Sequence, residues 1–527
     1  MFKSLRVGAL AAALMAATSL TAVAEVVLHR DNGGEPETLD PHKTSVTTEN
    51  NILKDMYEGL IGLSADGKLI PGMAESWTIS DDGTVYTFNL RDAKWSNGDP
   101  VVAGDFEYSL RRIMDPATGA KYATVLYPIK NAEKVNKSEL PKEELGVKAI
   151  DDKTLEITLE SPTPYFLGLL QHQTGLPVHP ATVEEHGTDF VRPENVVTNG
   201  AFIITEFVPN SHVTVVRNEN YYGNDDVQID KVVFHNIEDR GAAVRRFEAG
   251  EFHIVDEVPT EQMAHVKSTM ADQLLVAPYL GTYYYALNHE SEKLKDPGVR
   301  QALSMAIDRE FLADEIFAGT MSVAYSIVPP GIDNYGEPAY AEYKGQSMID
   351  REDEARELLE AAGYNESNPL KLELRYNTNE NHKNAAIAIA DMWKPLGVEV
   401  SMLNTDVKTH YAHLRDQGDF DVARAGWIGD YSDPQNFLFL VESDNTGFNY
   451  ARYNNPEYDA LMDKAAATLD LEKRADIMKQ AEVLFMRDLP FIPILHYSSK
   501  KLVSDKISGY EPNLRDEHQS RWITVSE

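Results

Sequence analysis

The sequence is an acidic chain of 527 residues, with 84 Asp and Glu against 49 Lys and Arg, 43% hydrophobic residues and no cysteine. Its net charge of −35 argues against nucleic acid as a partner, because two polyanions repel each other. The lack of cysteine excludes a disulfide framework, a thiolate metal site and a lipid-attachment cysteine. Length and composition predict a globular protein of two or three domains whose cores are large enough to be stable without disulfides.

The first residues have the pattern of an export signal. Lys3 and Arg6 precede an uncharged apolar run over residues 7–23, and residues 22–24 (Ala-Val-Ala) have the small side chains that signal peptidase requires. The run is shorter than a membrane span needs. We therefore expect residues 1–24 to be a cleaved signal peptide and the mature protein to be periplasmic, without a lipid anchor.

Strands and turns are predicted in the first third of the chain. Alternating apolar and polar residues predict strands at residues 84–90 and 155–159. Asn97-Gly98 predicts a tight turn, because both residue types tolerate a positive φ. Asp105 is placed to cap a helix that runs to Ile113.

Helical patterns dominate further along the chain. They cover residues 297–307 and 352–362, and Gly363 is suited to end the second helix. Residues 371–400 have the pattern of strand, helix and strand, with an Ala-rich helix at residues 384–394. Such a βαβ unit implies a parallel sheet with its ligand side at the carboxyl ends of the strands. Together with the earlier strands it predicts an α/β protein of several interleaved lobes.

No catalytic motif with known mechanics is present. The sequence lacks Gly-x-Ser-x-Gly, Gly-x-Gly-x-x-Gly, the phosphate-binding loop and His-Glu-x-x-His. His410 and His413 could share a helix face, but without a third ligand we prefer to interpret them as surface histidines. Asp81-Asp82 and Asp151-Asp152 adjoin turns, where Asp bonds to the local backbone. We expect no enzymatic activity, no metal site and no cofactor.

One long segment and several short ones carry a family resemblance. The long one covers residues 74–101 and continues into Asp105-Phe106. The short ones are residues 37–41 (Glu-Thr-Leu-Asp-Pro), 57–60 (Tyr-Glu-Gly-Leu), 199–202 (Asn-Gly-Ala-Phe), 299–302 (Val-Arg-Gln-Ala), 307–309 (Ile-Asp-Arg) and 362–364 (Ala-Gly-Tyr). Taken in chain order, these segments resemble the family 5 extracellular solute-binding proteins. Residues 280–285, 376–383 and 422–431 look most like the oligopeptide-binding and murein-tripeptide-binding members.

The resemblance implies a periplasmic binding protein of three lobes, with mixed sheets and a hinge. Lobe I would comprise residues 25–62, 187–280 and 499–527, lobe II residues 63–186, and lobe III residues 281–498. Such a protein closes on its ligand between lobes I and III. The implied partners are a short peptide, held by its free N-terminus, and the permease subunits of an inner-membrane ABC transporter. We expect a monomer.

The resemblance also implies a pair of charged anchors. Asp430 matches the partner of the peptide's α-ammonium, a group that needs a charged acceptor when it leaves water. Arg424 and His382 match positions that neutralise the peptide carboxylate, for which the planar guanidinium is well suited. Asp430 could instead be a turn aspartate, Arg424 could hold Asp421 or another buried acid, and His382 could cap its helix or be solvated.

Aromatic side chains are implied as walls of the cleft, with the peptide added as a strand. The resemblance points to Trp427 and to the tyrosines at 283–285. Because side chains alternate along a strand, either Tyr283 and Tyr285, or Tyr284 alone, should face the cleft. Glu35 matches an acidic position near a ligand side-chain pocket, or lies at the surface.

Five residues depart from the enterobacterial oligopeptide-binding members. Gly281 and Ile428 replace a cysteine pair, Phe317 replaces a lysine that meets a longer peptide's carboxylate, Ala286 replaces an acid, and Val407 replaces a pocket tryptophan. These departures predict an altered side-chain preference, with tripeptides or tetrapeptides still bound. Two alternatives remain open: a murein-tripeptide receptor, and a receptor for a non-peptide solute such as an opine, an oligosaccharide or a nickel complex.

Overall fold

The computed structural model describes residues 25–44 and 46–526, so the predicted signal peptide lies outside the described residues. The strands of this part are β1 Val27–Asp31, β2 Ile61–Leu63, β3 Leu69–Pro71, β4 Ala74–Ile79, β5 Val85–Leu90, β6 Val147–Asp151, β7 Thr154–Thr158, β8 Phe202–Val208, β9 His212–Arg217, β10 Lys231–His235, β11 Ile254–Val255, β12 Leu274–Leu287, β13 Ser322–Val323, β14 Leu370–Asn377, β15 Val398–Thr405, β16 Val422–Ile428, β17 Phe491–Val503, β18 Ile507–Ser508 and β19 Thr524–Val525.

The helices of the same part are α1 Thr47–Met56, α2 Ala103–Met114, α3 Ala132–Asn136, α4 Phe166–Gln171, α5 Pro180–His186, α6 Arg240–Glu248, α7 Met263–Thr269, α8 Pro297–Met305, α9 Arg309–Phe311, α10 Met348–Ala361, α11 Glu380–Trp393, α12 Val407–Arg415, α13 Gln435–Leu438, α14 Pro456–Ala466 and α15 Leu471–Asp488. Across the part of the chain that the structure describes, every helix is too short or too polar to traverse a bilayer.

One large mixed sheet organises the molecule. Its strand order is β15-β14-β16-β12-β17-β11-β1-β10-β9-β8, and β13 pairs with β17. β1 runs parallel to β10 and β14 parallel to β15, whereas β12 is antiparallel to both β16 and β17. A separate antiparallel sheet has the order β4-β5-β7-β6. Strands far apart in the chain thus share a sheet, and the predicted α/β class with mixed sheets is confirmed.

The long strands β12 and β17 join two halves of the large sheet. Residues 274–278 of β12 pair with residues 498–502 of β17, and after a break in register residues 282–286 pair with residues 491–496. We call the part with β8 to β11 and β1 the β1 half, and the part with β13 to β16 the β14 half. The polypeptide therefore crosses between the halves along these two strands.

Backbone hydrogen bonds hold this crossing. The Leu280 N–H donates to the Leu514 carbonyl at 2.7 Å, and the Gly429 N–H donates to the Leu280 carbonyl at 2.7 Å. Three segments distant in sequence are thereby tied together where the register of β12 breaks.

The hydrophobic cores follow the same division. The largest core cluster takes its buried members from residues 280–495, and the second takes most of its members from residues 28–234. A smaller cluster comprises residues 243–266 and Leu502. Apolar burial is therefore largely separate on the two sides of the crossing. The three lobes with their boundaries stay a prediction.

Most predicted elements are present. The strands expected at residues 84–90 and 155–159 are β5 and β7, and α10 contains the helix expected at residues 352–362 except for its last residue. The βαβ unit is β14-α11-β15, with its two strands parallel. Periodicity predicted these elements because each buries one face.

Several helix ends differ from the prediction, and two of them have a clear cause. Asp105 does not cap α2 but lies inside it, where its Oδ2 accepts hydrogen bonds from the Val102 N–H at 3.0 Å and the Trp95 indole at 2.9 Å. The helix therefore begins earlier, because an acid in its first turn can bond back to the residue before it. α8 ends at Met305, because Asp308 caps the next helical turn through the Phe311 N–H at 2.9 Å.

Candidate functional site

Arg424 and two of the tyrosines share one side of β12 and β16. Tyr285 lies directly opposite Arg424 in the antiparallel register. The rings of Tyr283 and Tyr285 are 6.2 Å apart, whereas Tyr284 points to the other side and stacks on Phe491 at 4.2 Å. The side chains alternate along the tyrosine run, so that Tyr283 and Tyr285 lie beside Arg424. Their expected role as walls of the cleft stays a prediction.

The Arg424 guanidinium is buried among neutral oxygens. Its Nη1 donates to Asn377 Oδ1 and to the Tyr411 hydroxyl, both at 3.1 Å, and its Nη2 donates to the Tyr497 hydroxyl at 2.9 Å. Its carbon Cζ lies 4.5 Å from the centre of the Tyr283 ring. Within the described part of the chain, no carboxylate oxygen lies within 4 Å of it and its Nε–H has no partner. Arg424 is thus a fixed cation that lacks an anion.

Asp421, the alternative partner of Arg424, bonds to other residues. Asp421 Oδ2 accepts from Lys293 Nζ at 2.6 Å and from the Glu373 N–H at 2.9 Å, and its Oδ1 accepts from the Ser291 hydroxyl at 2.8 Å. Asp421 therefore does not neutralise Arg424.

His382 lies beside Arg424 in the first turn of α11. Asn379 caps this helix by accepting from the Asn381 N–H at 2.9 Å and the His382 N–H at 3.2 Å, so the imidazole itself is not the cap. Its Nδ1 is 3.4 Å from the Tyr283 hydroxyl. Burial, and then the charge of Arg424, lower the pKa of His382 to about 3. The ring is therefore neutral near pH 7.

The expectation that His410 lies at the surface is wrong. Its ring is fully buried in α12, and Nε2 lies 2.8 Å from the Arg424 carbonyl. Burial lowers its pKa to about 4. The helix packs on the sheet, which turns this position inward. His413 bonds instead to the Asp419 carbonyl at 2.9 Å, and no group of three or more metal-ligating side chains occurs in residues 25–44 and 46–526.

Asp430 follows β16 by two residues, next to the strand crossing. Its half-buried carboxylate accepts one hydrogen bond at Oδ1, from the Tyr122 hydroxyl at 3.3 Å, and its carbonyl accepts from Arg515 Nη2 at 3.2 Å. Burial raises the pKa of Asp430 against the lowering effects of Tyr122 and Arg515. No cationic nitrogen lies within 4 Å of its carboxylate oxygens in the residues that the structure describes. Asp430 is a partly desolvated anion with a single neutral donor.

The segment after Asp430 is packed firmly against other elements. The Tyr431 and Tyr165 rings stack with centres 5.0 Å apart and planes 2° apart. Asp433 accepts two hydrogen bonds from Arg474, at 2.7 and 2.8 Å, and both side chains are buried. These contacts fix the backbone that carries Asp430.

Trp427 and Glu35 lie away from the Arg424 cluster. Trp427 is on the opposite side of β16, where its indole donates to Asn436 Oδ1 at 2.9 Å and packs against two phenylalanine rings at 5.0 and 5.6 Å. Glu35 is exposed and accepts from the Asn210 N–H. Their expected roles at the ligand remain predictions.

A cleft of about 570 Å³ separates the β1 half from the β14 half. Its walls include Asp31 and Tyr279 on one side, and Phe317 and His382 on the other, with Tyr497 between them. This volume is within the range that small-molecule and peptide sites have. It is open to solvent and borders the Arg424 cluster through Tyr497 and His382.

Several polar partners in the site carry no local sequence signal. The Tyr122 hydroxyl meets a carboxylate 308 residues away, and Tyr497 meets Arg424 across 73 residues. Tyr411 likewise belongs to no motif, whereas Asn377 lies in residues 376–383, which carry the family resemblance. Their positions depend on long-range strand pairing, which the spacing of residues along one chain does not specify.

Proteins of known function resemble this chain along almost its whole length. The family model described as "Bacterial extracellular solute-binding proteins, family 5 Middle" matches residues 68–449. The periplasmic oligopeptide-binding protein OppA of Escherichia coli (strain K12) is 38% identical over 96% of this chain and 94% of its own length.

Two solved structures differ in how well they superimpose. The unliganded open form of the periplasmic murein tripeptide binding protein MppA has a TM-score of 0.88, and Haemophilus influenzae OppA in complex with the peptide RPPGFSPFR has 0.75. Both are 36% identical to this chain and cover 95% of it, and the match spans 98% and 99% of their own chains. At equal identity and coverage, the present structure superimposes better on the unliganded open form of MppA than on the peptide complex of OppA.

Proposed function

The chain belongs to the family 5 bacterial extracellular solute-binding proteins, and from that membership we propose that it is the periplasmic receptor of an ABC importer for short peptides. It encloses a peptide between the two sheet halves and presents it to permease subunits in the inner membrane, without cleaving it. Support comes from relatives named as oligopeptide-binding and murein-tripeptide-binding proteins, and from the open cleft of about 570 Å³.

The observation that carries the peptide proposal is the state of Asp430. An ammonium that leaves water costs several kcal/mol unless it is paired. Asp430 has one neutral donor at 3.3 Å and is otherwise free to accept, while its main chain is held by Arg515. A charge-assisted hydrogen bond to such a carboxylate contributes about 1.5–3 kcal/mol. Asp430 therefore suits the free α-ammonium of a peptide.

The carboxylate end of the peptide is assigned to Arg424 with His382. Three N–H groups of Arg424 are held by neutral oxygens and its Nε–H is unused within the described residues, so the guanidinium keeps both its charge and a free donor. Neutral His382 can donate one further N–H. His382 lines the cleft, and Arg424 lies behind the lining, where it bonds to the Tyr497 hydroxyl.

Calorimetric titration of ligand-free protein with three peptides tests the proposal. Ala-Ala-Ala should bind, N-acetyl-Ala-Ala-Ala should bind roughly tenfold or more weakly because it lacks the ammonium, and the peptide amide should also bind more weakly. Equal affinity for the free and acetylated peptides would contradict the Asp430 anchor.

The same titration separates the alternatives. A murein tripeptide that binds much more tightly than Ala-Ala-Ala would identify a murein-peptide receptor. Failure of every peptide, together with a non-peptide solute found by mass spectrometry of the purified protein, would replace the peptide proposal by the non-peptide alternative.

A further inference from the structure

A segment near the end of the chain contacts the candidate ammonium site. Residues 511–519 form no helix or strand, but their backbone is held by Asn513. Its Oδ1 accepts from the Glu517 N–H at 3.3 Å, and its Nδ2 donates to the Glu517 carbonyl at 2.9 Å. The Leu514 carbonyl accepts from the Leu280 N–H at 2.7 Å. The segment is therefore fixed at the crossing between the two halves of the sheet.

Arg515 of this segment makes two contacts at once. Its Nη2 donates to the Asp430 carbonyl at 3.2 Å and lies 3.3 Å from Glu517 Oε1, and its side chain is 5% exposed. The bond to Asp430 joins residues that are 85 positions apart in the chain. Within the described residues, no nitrogen of Arg515 lies within 4 Å of the Asp430 carboxylate oxygens. The guanidinium thus holds the main chain and leaves the carboxylate available to a ligand.

Glu517 fixes this guanidinium in turn. Its Oε2 accepts from the Gln171 amide at 2.9 Å and lies 3.9 Å from Lys54 Nζ. Against the effect of burial, the charges of Arg515 and Lys54 lower the pKa of Glu517 to about 2. Burial lowers the pKa of Lys54 to about 8, so near pH 7 the carboxylate is ionised between two cations. Arg515 is therefore oriented by a charged partner.

The surroundings of Asp430 contain few charges other than Arg515. Near pH 7 the other titratable groups close to it in the described part of the chain are neutral or paired, and they are Tyr122, Tyr431, His172 and the ion pair of Asp433 with Arg474. Burial raises the pKa of both tyrosines and lowers that of the histidine to about 3. Burial also raises the pKa of Asp430, and Tyr122 and then Arg515 oppose this increase. Arg515 is thus the cation that favours an ionised Asp430.

We propose that Arg515 is a positioning residue of the ammonium site, which fixes the main chain at Asp430 and favours the ionised form of its carboxylate. This inference rests on the proposed function, in which Asp430 binds the α-ammonium of a peptide. A charge-assisted hydrogen bond to an ammonium requires the ionised carboxylate. Arg515 therefore extends peptide capture to more acidic pH. Glu517 compensates the positive charge that Arg515 brings close to the incoming ammonium.

Removal of these two charges should shift the pH dependence of binding in opposite directions. Arg515→Gln removes a cation, which raises the pKa of Asp430 further, so that binding is lost at a higher pH on acidification. Glu517→Gln removes an anion and leaves Arg515 uncompensated, which shifts this loss to lower pH and weakens capture of the ammonium near pH 7. Both variants break the same contact, so a purely structural role predicts the same shift for both.

Calorimetry on the full mature chain between pH 5 and 7 tests the inference, with Ala-Ala-Ala and N-acetyl-Ala-Ala-Ala as ligands. The ratio of their affinities reports the ammonium site, because the two peptides share the carboxylate end. From pH 7 to pH 5 this ratio should fall about threefold or more further in Arg515→Gln than in the parent protein. Arg515→Lys keeps the charge and should retain the pH dependence of the parent, with roughly twofold weaker binding of Ala-Ala-Ala.

The matched control is Lys506→Gln, which removes an exposed cation from the same end of the chain and should leave the ratio unchanged. A ratio that depends on pH in Arg515→Gln as it does in the parent rejects the role of Arg515. A shift of the same sign in Glu517→Gln, or in the control, rejects it as well.

Two further readouts keep the test decisive. If thermal denaturation shows that Arg515→Gln is unfolded, Arg515→Lys and Glu517→Gln carry the test, and a steeper loss of binding at acidic pH in either variant rejects the inference. Equal affinity of the parent protein for the free and acetylated peptides rejects the Asp430 anchor itself. Failure of the proposed function is therefore distinguishable from failure of the role of Arg515.

Discussion

The two charged ends of the candidate site are built in opposite ways. At one end the Arg424 side chain is held by three neutral oxygens at 2.9–3.1 Å and by the face of the Tyr283 ring. At the other end the Asp430 side chain has one phenol donor at 3.3 Å, while its main chain is held by Arg515 and by the bonds of neighbouring Gly429. The cation is fixed through its side chain and the anion through its backbone.

This contrast predicts different consequences for stability and binding. Truncating Arg424 leaves buried hydroxyl and amide oxygens without their donor, which costs stability as well as affinity. Neutralising Asp430 removes no strong contact from the unliganded protein, so its effect should fall on the ligand. Measuring stability and affinity in the same variants therefore tests this contrast.

The largest effect is expected for Asp430→Asn. The change should weaken binding of Ala-Ala-Ala by about 30-fold or more, because a charged pair in the closed cleft loses one partner. The unfolding temperature should stay close to that of the parent protein. Calorimetry and thermal denaturation measure the two quantities, and Asp444→Asn, an exposed acid of the same segment, serves as the control. An unchanged binding constant would contradict the site.

A smaller effect on binding is expected for Arg424→Lys. The lysine keeps the charge but cannot reach three acceptors at once, so binding of Ala-Ala-Ala should weaken by roughly fivefold. The free energy of unfolding should fall by about 1–3 kcal/mol, because buried oxygens lose their donor. Denaturant titration measures this loss, and Arg192→Lys on an exposed turn is the matched control. Full stability in Arg424→Lys would show that the cation is not held as described.

The smallest effect on binding is expected for His382 when the pH is changed. Because its pKa is lowered to about 3, the imidazole stays neutral from pH 5.5 to 8. The ratio of affinities for Ala-Ala-Ala and its amide should therefore vary by less than about twofold over this interval. Both peptides carry the same ammonium, so titration of Asp430 cancels in the ratio. A ratio that rises as pH falls would mean that His382 takes up a proton with the carboxylate.

Local patterns predicted much of the fold. The βαβ unit and the alternation of the tyrosines at 283–285 follow from periods that one chain displays, and the ordered motifs indicated the family. Asp105 shows the limit of such reasoning. An aspartate in the first turn that accepts a hydrogen bond from the residue before the helix has the same residue type as an aspartate that caps the helix. Neighbouring residues alone could not decide where α2 begins.

The ionisable residues of the candidate site were predictable from the sequence, and the residues that surround them were not. Asp430, Arg424 and His382 stand in recognisable motifs, whereas Tyr122 and Tyr497, which contact Asp430 and Arg424, come from distant segments. The surface location predicted for His410 was wrong, because the face of a helix that is buried depends on which element packs against it.

The backbone bonds at Leu280 also bear on the order of events during capture. In a rotation of one sheet half against the other, displacement grows with distance from the axis, and Asp430 lies beside the strands that form the connection. Asp430 would therefore move little, while the far wall of the cleft would travel furthest. In kinetic terms, the amino end of a ligand could associate with the open protein first, and closure would then govern the dissociation rate. The distance that the far wall moves would then limit the length of the peptide that the closed cleft can hold.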